Sequence, residues 1–365
     1  MKLAIIAPLV SAIREPQRGG SQAFVSDLAR GLAGRGHDVH LYAASGSQVP
    51  GVEVIDTGID HEALQATLYR ASGETDGCAS RVAERAFAGV YDAVREQAYD
   101  VVHNHAFDAP AVSLASTARA PVVHTLHLPF DAMIADALRV VARHDPAPTL
   151  ACVSAFQARA WRRVVVIEAI LAPHIPTRSI PWSPTAEDKA LFAGRLSPEK
   201  GAAEAIEIAL AAGIPIDVYG DGYDLDYARE RIDPRRGDRG VCVHSGVARA
   251  TLWDAMCGAA VVLCPAKWDE PFGMVAAEAQ ACGTPVVAFR RGALEEVLVE
   301  GVTGLLVAQG DIAAAAEAIE RARELSRAQC RRHAERHFDL ELGLDAHERL
   351  YGRVSAGGVE VAIGG

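Results

Sequence analysis

The strongest constraint on this chain is an alternation that runs, stops and starts again. Short apolar runs of strand character, Leu3–Pro8, Val39–Tyr42, Val52–Ile55, Val101–His103, Val122–Leu126 and Leu150–Val153, are separated by stretches with helical spacing. Strands interleaved with helices are the pattern of parallel βαβ units. In Ser21–Gly36 the apolar residues Phe24, Leu28 and Leu32 recur every four positions, which marks one helix face. From Ala172 to Thr185 the pattern lapses into a stretch with four prolines and no period, the composition of a linker. Beyond it the alternation resumes with strand candidates Ala190–Gly194, Ile216–Tyr219, Val241–His244, Ala260–Cys264, Pro285–Phe289 and Leu305–Val307, and a helix over Glu199–Leu210. The expectation is an α/β chain of two doubly wound domains, residues 1–172 and 173–336, followed by a terminal helix over 337–354. Ligands of such open sheets bind beyond the carboxyl ends of the strands.

A length of 365 residues gives each domain room for a core of its own. No apolar run reaches the roughly 18 residues of a membrane span. The opening MKLAIIAPLV has one lysine and no small-residue cleavage site, so it reads as a buried first strand and not as a signal segment. A net charge of −11 argues against general nucleic-acid affinity. The short basic run Arg159–Arg163 reads as a solvated helix face. The seven cysteines, Cys78, Cys152, Cys242, Cys257, Cys264, Cys282 and Cys330, form no C-x-x-C pair, which fits reduced structural thiols and a cytoplasmic location. The small-residue tail from Ser355 to Gly365 is expected to be disordered.

Chemistry concentrates at Glu270–Glu278, two carboxylates bracketing PFGMVAA. Pro271 suits the first turn of a helix, and Phe272, Gly273 and Met274 would then carry free amides at its positive end. With Glu278 on that helix, the acids lie about 12 Å apart along the axis at about 1.5 Å per residue. Inverting glycosidases hold their acids about 6.5–9.5 Å apart and retaining ones about 5–5.5 Å, so a hydrolase pair is disfavoured. The spacing suits an elongated anionic ligand, with hydroxyls held at both ends and phosphates on the amides between. A nucleotide sugar has that layout. Upstream, Ala193–Gly201 reads AGRLSPEKG: a glycine turns the chain off a strand tip, and Arg195 and Lys200 supply two cations beside a helix start, as a departing pyrophosphate needs.

These motifs resemble those of the retaining GT-B glycosyltransferases, family 4 in particular. The resemblance implies two Rossmann-like domains facing a cleft, with the terminal helix returning to the first. It implies an enzyme moving a sugar from a nucleoside diphosphate donor to an acceptor hydroxyl, with no other cofactor and no metal. Glu270 is implied to hold donor-sugar hydroxyls and Glu278 the ribose, with Arg195 and Lys200 on the diphosphate. His127, in Thr125-Leu-His127, matches the histidine beside the donor sugar. Gly20 matches a backbone contact to phosphate or acceptor, and Gly246-Val247 a backbone contact to the nucleobase. The pattern departs at Pro173–Pro176, where an Asn-Gly turn is usual, and at Pro265–Asp269, where Lys267 and Trp268 stand at the place of the donor sugar.

Rival readings are a nucleotide-sugar epimerase or hydrolase of the same fold, a non-catalytic nucleotide-sugar binding protein, and a metal site at His103, His105, His124 and His127. A nicotinamide dehydrogenase is disfavoured because neither half has G-x-G-x-x-G after its first strand. The acceptor expected from an acidic surface with no integral membrane segment is a small metabolite, natural product or glycan.

Overall fold

A computed structural model describes residues 1–60, 64 and 77–357, with side chains left out at 77–80. The Cys78 thiol and the tail from residue 358 therefore lie outside the described part. The chain divides into two compact units. One comprises Met1–Arg14, Ser21–Ala172 and Glu341–Gly365, and the other Glu15–Gly20 and Pro173–Leu340.

The first unit is built on seven parallel strands: β1 (Lys2–Ile6), β2 (Asp38–Ala43), β3 (Glu53–Asp56), β4 (Val101–Asn104), β5 (Val122–Leu126), β6 (Thr149–Cys152) and β7 (Ala169–Ile170). Their order, β3-β2-β1-β4-β5-β6-β7, reverses direction of growth at β1, the topology of a doubly wound sheet. β1, β4, β5 and β6 are buried or nearly buried along their length, as parallel strands covered on both faces must be. The Met1–Val10 run thus supplies an interior strand of the sheet. The edge strand β7 spans only two residues and was not among the sequence expectations, since so short a run carries no period.

The second unit repeats the architecture with β8 (Ala190–Ala193), β9 (Ile216–Tyr219), β10 (Val241–His244), β11 (Val261–Cys264), β12 (Val286–Phe289) and β13 (Gly304–Val307), ordered β10-β9-β8-β11-β12-β13 and parallel throughout. Its core packs Phe192, Ile206, Val218, Leu263 and Phe289 against Ile319. The proline-rich stretch is ordered. Ile175 bonds to Phe338 and Leu340 through the backbone, and Arg331 binds the carbonyls of Thr177, Ile180 and Ala281. Four prolines suppress regular structure but not packing.

Two helix starts differ from the sequence expectation. The helix after β8 spans Ala202–Ala212 and the one after β11 spans Met274–Ala281, so Lys200 and Pro271 precede their helices instead of occupying first turns. Both are capped by a left-handed glycine, Gly201 at φ 75° and Gly273 at φ 103°, a conformation open to glycine and closed to the helix it precedes. At Gly201 a side chain would also strike the Pro265 carbonyl at 2.1 Å. The axial estimate for Glu270 and Glu278 fails for the same reason: Glu270 lies in the loop before the helix.

Among the described residues, no helix is long and apolar enough to cross a membrane.

Candidate functional site

In the second unit, the loops at the carboxyl ends of β8 and β11 converge. Lys200 leaves the turn Ser197–Lys200, closed by the Lys200 amide on the Ser197 carbonyl at 3.2 Å. Its Nζ lies 2.7 Å from Oε2 of Glu270, and the indole Nε1–H of Trp268 donates to the same oxygen at 2.8 Å. Lys200 Nζ also lies 4.5 Å from the Trp268 ring centroid, so one indole serves a cation on its face and an anion at its edge. Arg195 pairs with Glu199 at 3.0 Å and stacks on Tyr223 at 4.4 Å, with Trp268 at 5.9 Å. Lys267, beside Trp268 in sequence, turns instead to Glu204 at 2.8 Å.

The backbone of Glu270 is clamped from behind. Its carbonyl accepts from Ala293 at 2.8 Å, and a Cβ on Gly292, at φ 66°, would stand 2.3 Å from its nitrogen. Four residues on, the Met274–Ala281 helix opens with partly exposed Met274 and Val275. The first amides of any helix lack intrahelical partners, so those from Gly273 onward form an anion-accepting tip. Gly20 comes against this tip, where a Cβ would meet Met274 Sδ at 3.1 Å.

Glu278 sits deeper in the same helix. Arg249 Nε and one of its terminal nitrogens both bond to Glu278 Oε1, at 3.1 and 2.8 Å, with the guanidinium over the Trp253 ring at 4.8 Å. The Gly246 amide is engaged by Asp221 Oδ1 at 2.8 Å, and Val247 beside it is partly exposed. Sequence reasoning missed Arg249 and Gly292. A buried acid at position 278 demanded a counter-charge, but nothing in the local pattern pointed 29 residues upstream.

The first unit gathers its histidines at the carboxyl ends of β4 and β5, which are adjacent strands. His103 is held by the Tyr351 hydroxyl at 2.6 Å and by Thr125 Oγ1 at 2.7 Å. His105 and His127, each just past its strand, meet at 2.9 Å from Nδ1 to Nε2, with Phe24 packed against both rings. Burial holds His127 down at about 3 and His124 at about 4, and pushes His103 and His105 well below the usual imidazole value, with neighbouring imidazoles adding to the effect except at His124. All four are therefore neutral near pH 7. Among the described residues, no group of three or more His, Cys, Asp or Glu side chains is disposed to hold a metal ion.

Residues 178–337 match the family model for glycosyl transferases group 1, and residues 18–175 match that for glycosyltransferase family 4. The chain belongs to the GT-B glycosyltransferases of family 4. It is similar to the D-inositol 3-phosphate glycosyltransferases of Geodermatophilus obscurus, at 29% identity over 91% of this chain and 85% of the relative, and of Xylanimonas cellulosilytica, at 29% over 84% of each. Among solved structures, a sucrose-phosphate synthase from Thermosynechococcus elongatus shares the fold with TM-score 0.77 at 20% identity, over 98% of this chain and 100% of the other. Anabaena HepE, solved with UDP and glucose, does so with TM-score 0.73 at 20% identity, over 96% and 99%. This glycosyltransferase carries its charged cluster on the second unit and its histidine cluster on the first.

Proposed function

We propose that this glycosyltransferase transfers a sugar from a nucleoside diphosphate donor to a hydroxyl of a small acceptor, with retention at the anomeric carbon. The supporting observation is the juxtaposition of Lys200, Trp268 and Glu270 beside the tip of the Met274–Ala281 helix. In this reading the bond from the anomeric carbon to the diphosphate breaks while the acceptor oxygen bonds on the same face. The acceptor proton passes to the departing diphosphate oxygen. Lys200, Arg195 and the amides from Phe272 to Met274 stabilise that oxygen's growing charge, Glu270 binds sugar hydroxyls, and Glu278 the ribose. Gly20 approaches the phosphates, and Gly246 and Val247 border the base. His127 donates a hydrogen bond to the donor sugar. No metal or further cofactor is needed, since two cations and a helix tip meet the charge.

The relatives named for inositol phosphate make a polyol phosphate the first acceptor to try, and HepE makes uridine diphosphate sugars the first donors. The test is incubation with each pair and assignment of the product's anomeric configuration. Lys200→Ala and Arg195→Ala should each cut turnover by more than roughly tenfold with folding intact. Near-wild-type turnover in both, or an inverted product, would overturn the mechanism. Sugar release without acceptor, matching the rate with it, would favour hydrolysis.

A further inference from the structure

His105 has two ring nitrogens and, among the described residues, one hydrogen-bond partner for them. Its Nδ1 faces His127 Nε2 at 2.9 Å, while its Nε2 is buried with no hydrogen-bond partner among the described residues. A neutral imidazole carries one proton, so one nitrogen donates and the other accepts. If Nδ1 accepted from His127, the His105 proton would sit on Nε2 as a buried N–H without an acceptor, the costlier kind of orphan. Placing it on Nδ1 leaves only an unfilled lone pair at Nε2. The hydrogen bond then runs from His105 to His127.

His103 does not compete for this proton. Its ring centroid lies 3.9 Å from that of His105 at a tilt of 36°, and its own nitrogens are taken by Tyr351 and Thr125. The direction propagates one step further. His127 Nε2 is an acceptor, so the single proton of neutral His127 stands on Nδ1, to which none of the described residues offers a partner. His127 is partly exposed, and this is the nitrogen left for a ligand.

We infer that His105 is a positioning residue that fixes the tautomer of His127, so that His127 meets its ligand as a neutral Nδ1–H donor and never as a base. Burial of both rings keeps them neutral across the physiological range. A donor suits a sugar hydroxyl or phosphate oxygen, and its occupied nitrogen cannot take the acceptor's proton. This rests on the proposed function only for what the hydrogen bond is offered to. The tautomer itself does not.

The test is two-bond proton–nitrogen correlation spectroscopy on the full chain with labelled histidine, without donor, at pH 7. Assignments come from His127→Gln and His105→Asn. The inference requires protonated Nδ1 and bare Nε2 in His127, and protonated Nδ1 in His105. A protonated Nε2 in His127 would overturn it. Replacing His105 by asparagine places an amide donor where Nδ1 was, so His105→Asn should keep the His127 tautomer and rescue turnover relative to His105→Asp. The aspartate supplies only an acceptor and should drive the His127 proton to Nε2, lowering kcat by about tenfold or more with KM for the acceptor unchanged. Equal kcat in the two variants, with the tautomer reversed in one, would also overturn the inference. Loss-free turnover in His127→Ala with the tautomers as assigned would instead overturn the role given to His127 in the reaction.

Discussion

The Arg249–Glu278 pair offers the sharpest test of how the second unit is held. Arg249 and Glu278 expose only 11% and 7% of their side chains, and two guanidinium nitrogens bond to one carboxylate oxygen. Removing Arg249 leaves the buried Glu278 carboxylate without its cation, at a cost of about 3–5 kcal/mol. Arg249→Met should therefore lower the melting temperature of the second unit by about 6–20 °C, at about 2–4 °C per kcal/mol for a domain of this size. Some of that loss comes from the Trp253 contact, worth about 0.5–1 kcal/mol at an exposed site and more when desolvated, so the single variant does not isolate the pair. A double-mutant cycle with Glu278→Gln does. The double variant should be more stable than the sum of the singles implies, with coupling of about 1–3 kcal/mol. Calorimetry and urea denaturation provide the readings. Coupling within about 0.5 kcal/mol of zero, the scatter expected of independent sites, would show that the carboxylate is solvated and the electrostatic reasoning wrong.

Two further outcomes follow from the geometry. Trp268→Phe keeps a ring over Lys200 but removes the N–H that donates to Glu270, and loss of a charged hydrogen bond of about 1.5–3 kcal/mol should lower kcat/KM by about tenfold or more; an unchanged value would make the indole bond incidental. The buried histidines set an acid limit. Their folded values, about 3 for His127 and about 4 for His124, lie below the ordinary 6.5, so between these limits the unfolded chain binds more protons. Their contribution is complete above about pH 6.5 and declines as pH falls toward 4, and a melting temperature flat from pH 7 to 4.5 would refute this.

Parallel strands and their helices were legible because burial on both faces writes continuous apolar runs such as Leu3–Ala7 and helix faces such as Phe24, Leu28 and Leu32, signals that reside in neighbouring residues. The family was legible for a related reason: Glu270 to Glu278 and Arg195 to Lys200 are local spacings. Helix starts were less so, because Gly201 and Gly273 stop their helices by backbone conformation, which composition does not reveal.

The alternation of residue types determined the class of fold and its two repeats, and the local motifs at Glu270–Glu278 and Arg195–Lys200 pointed to the family. Tertiary structure decided which charges meet. Lys200 reaches Glu270 across 70 residues, and Arg249 reaches Glu278 across 29. It also decided the direction inferred for the His105–His127 bond, since that depends on a buried nitrogen lacking a hydrogen-bond partner among the described residues. Hydrogen bonds and ion pairs act over about 3 Å in space, and only the folded sheet brings the ends of separate strands that close.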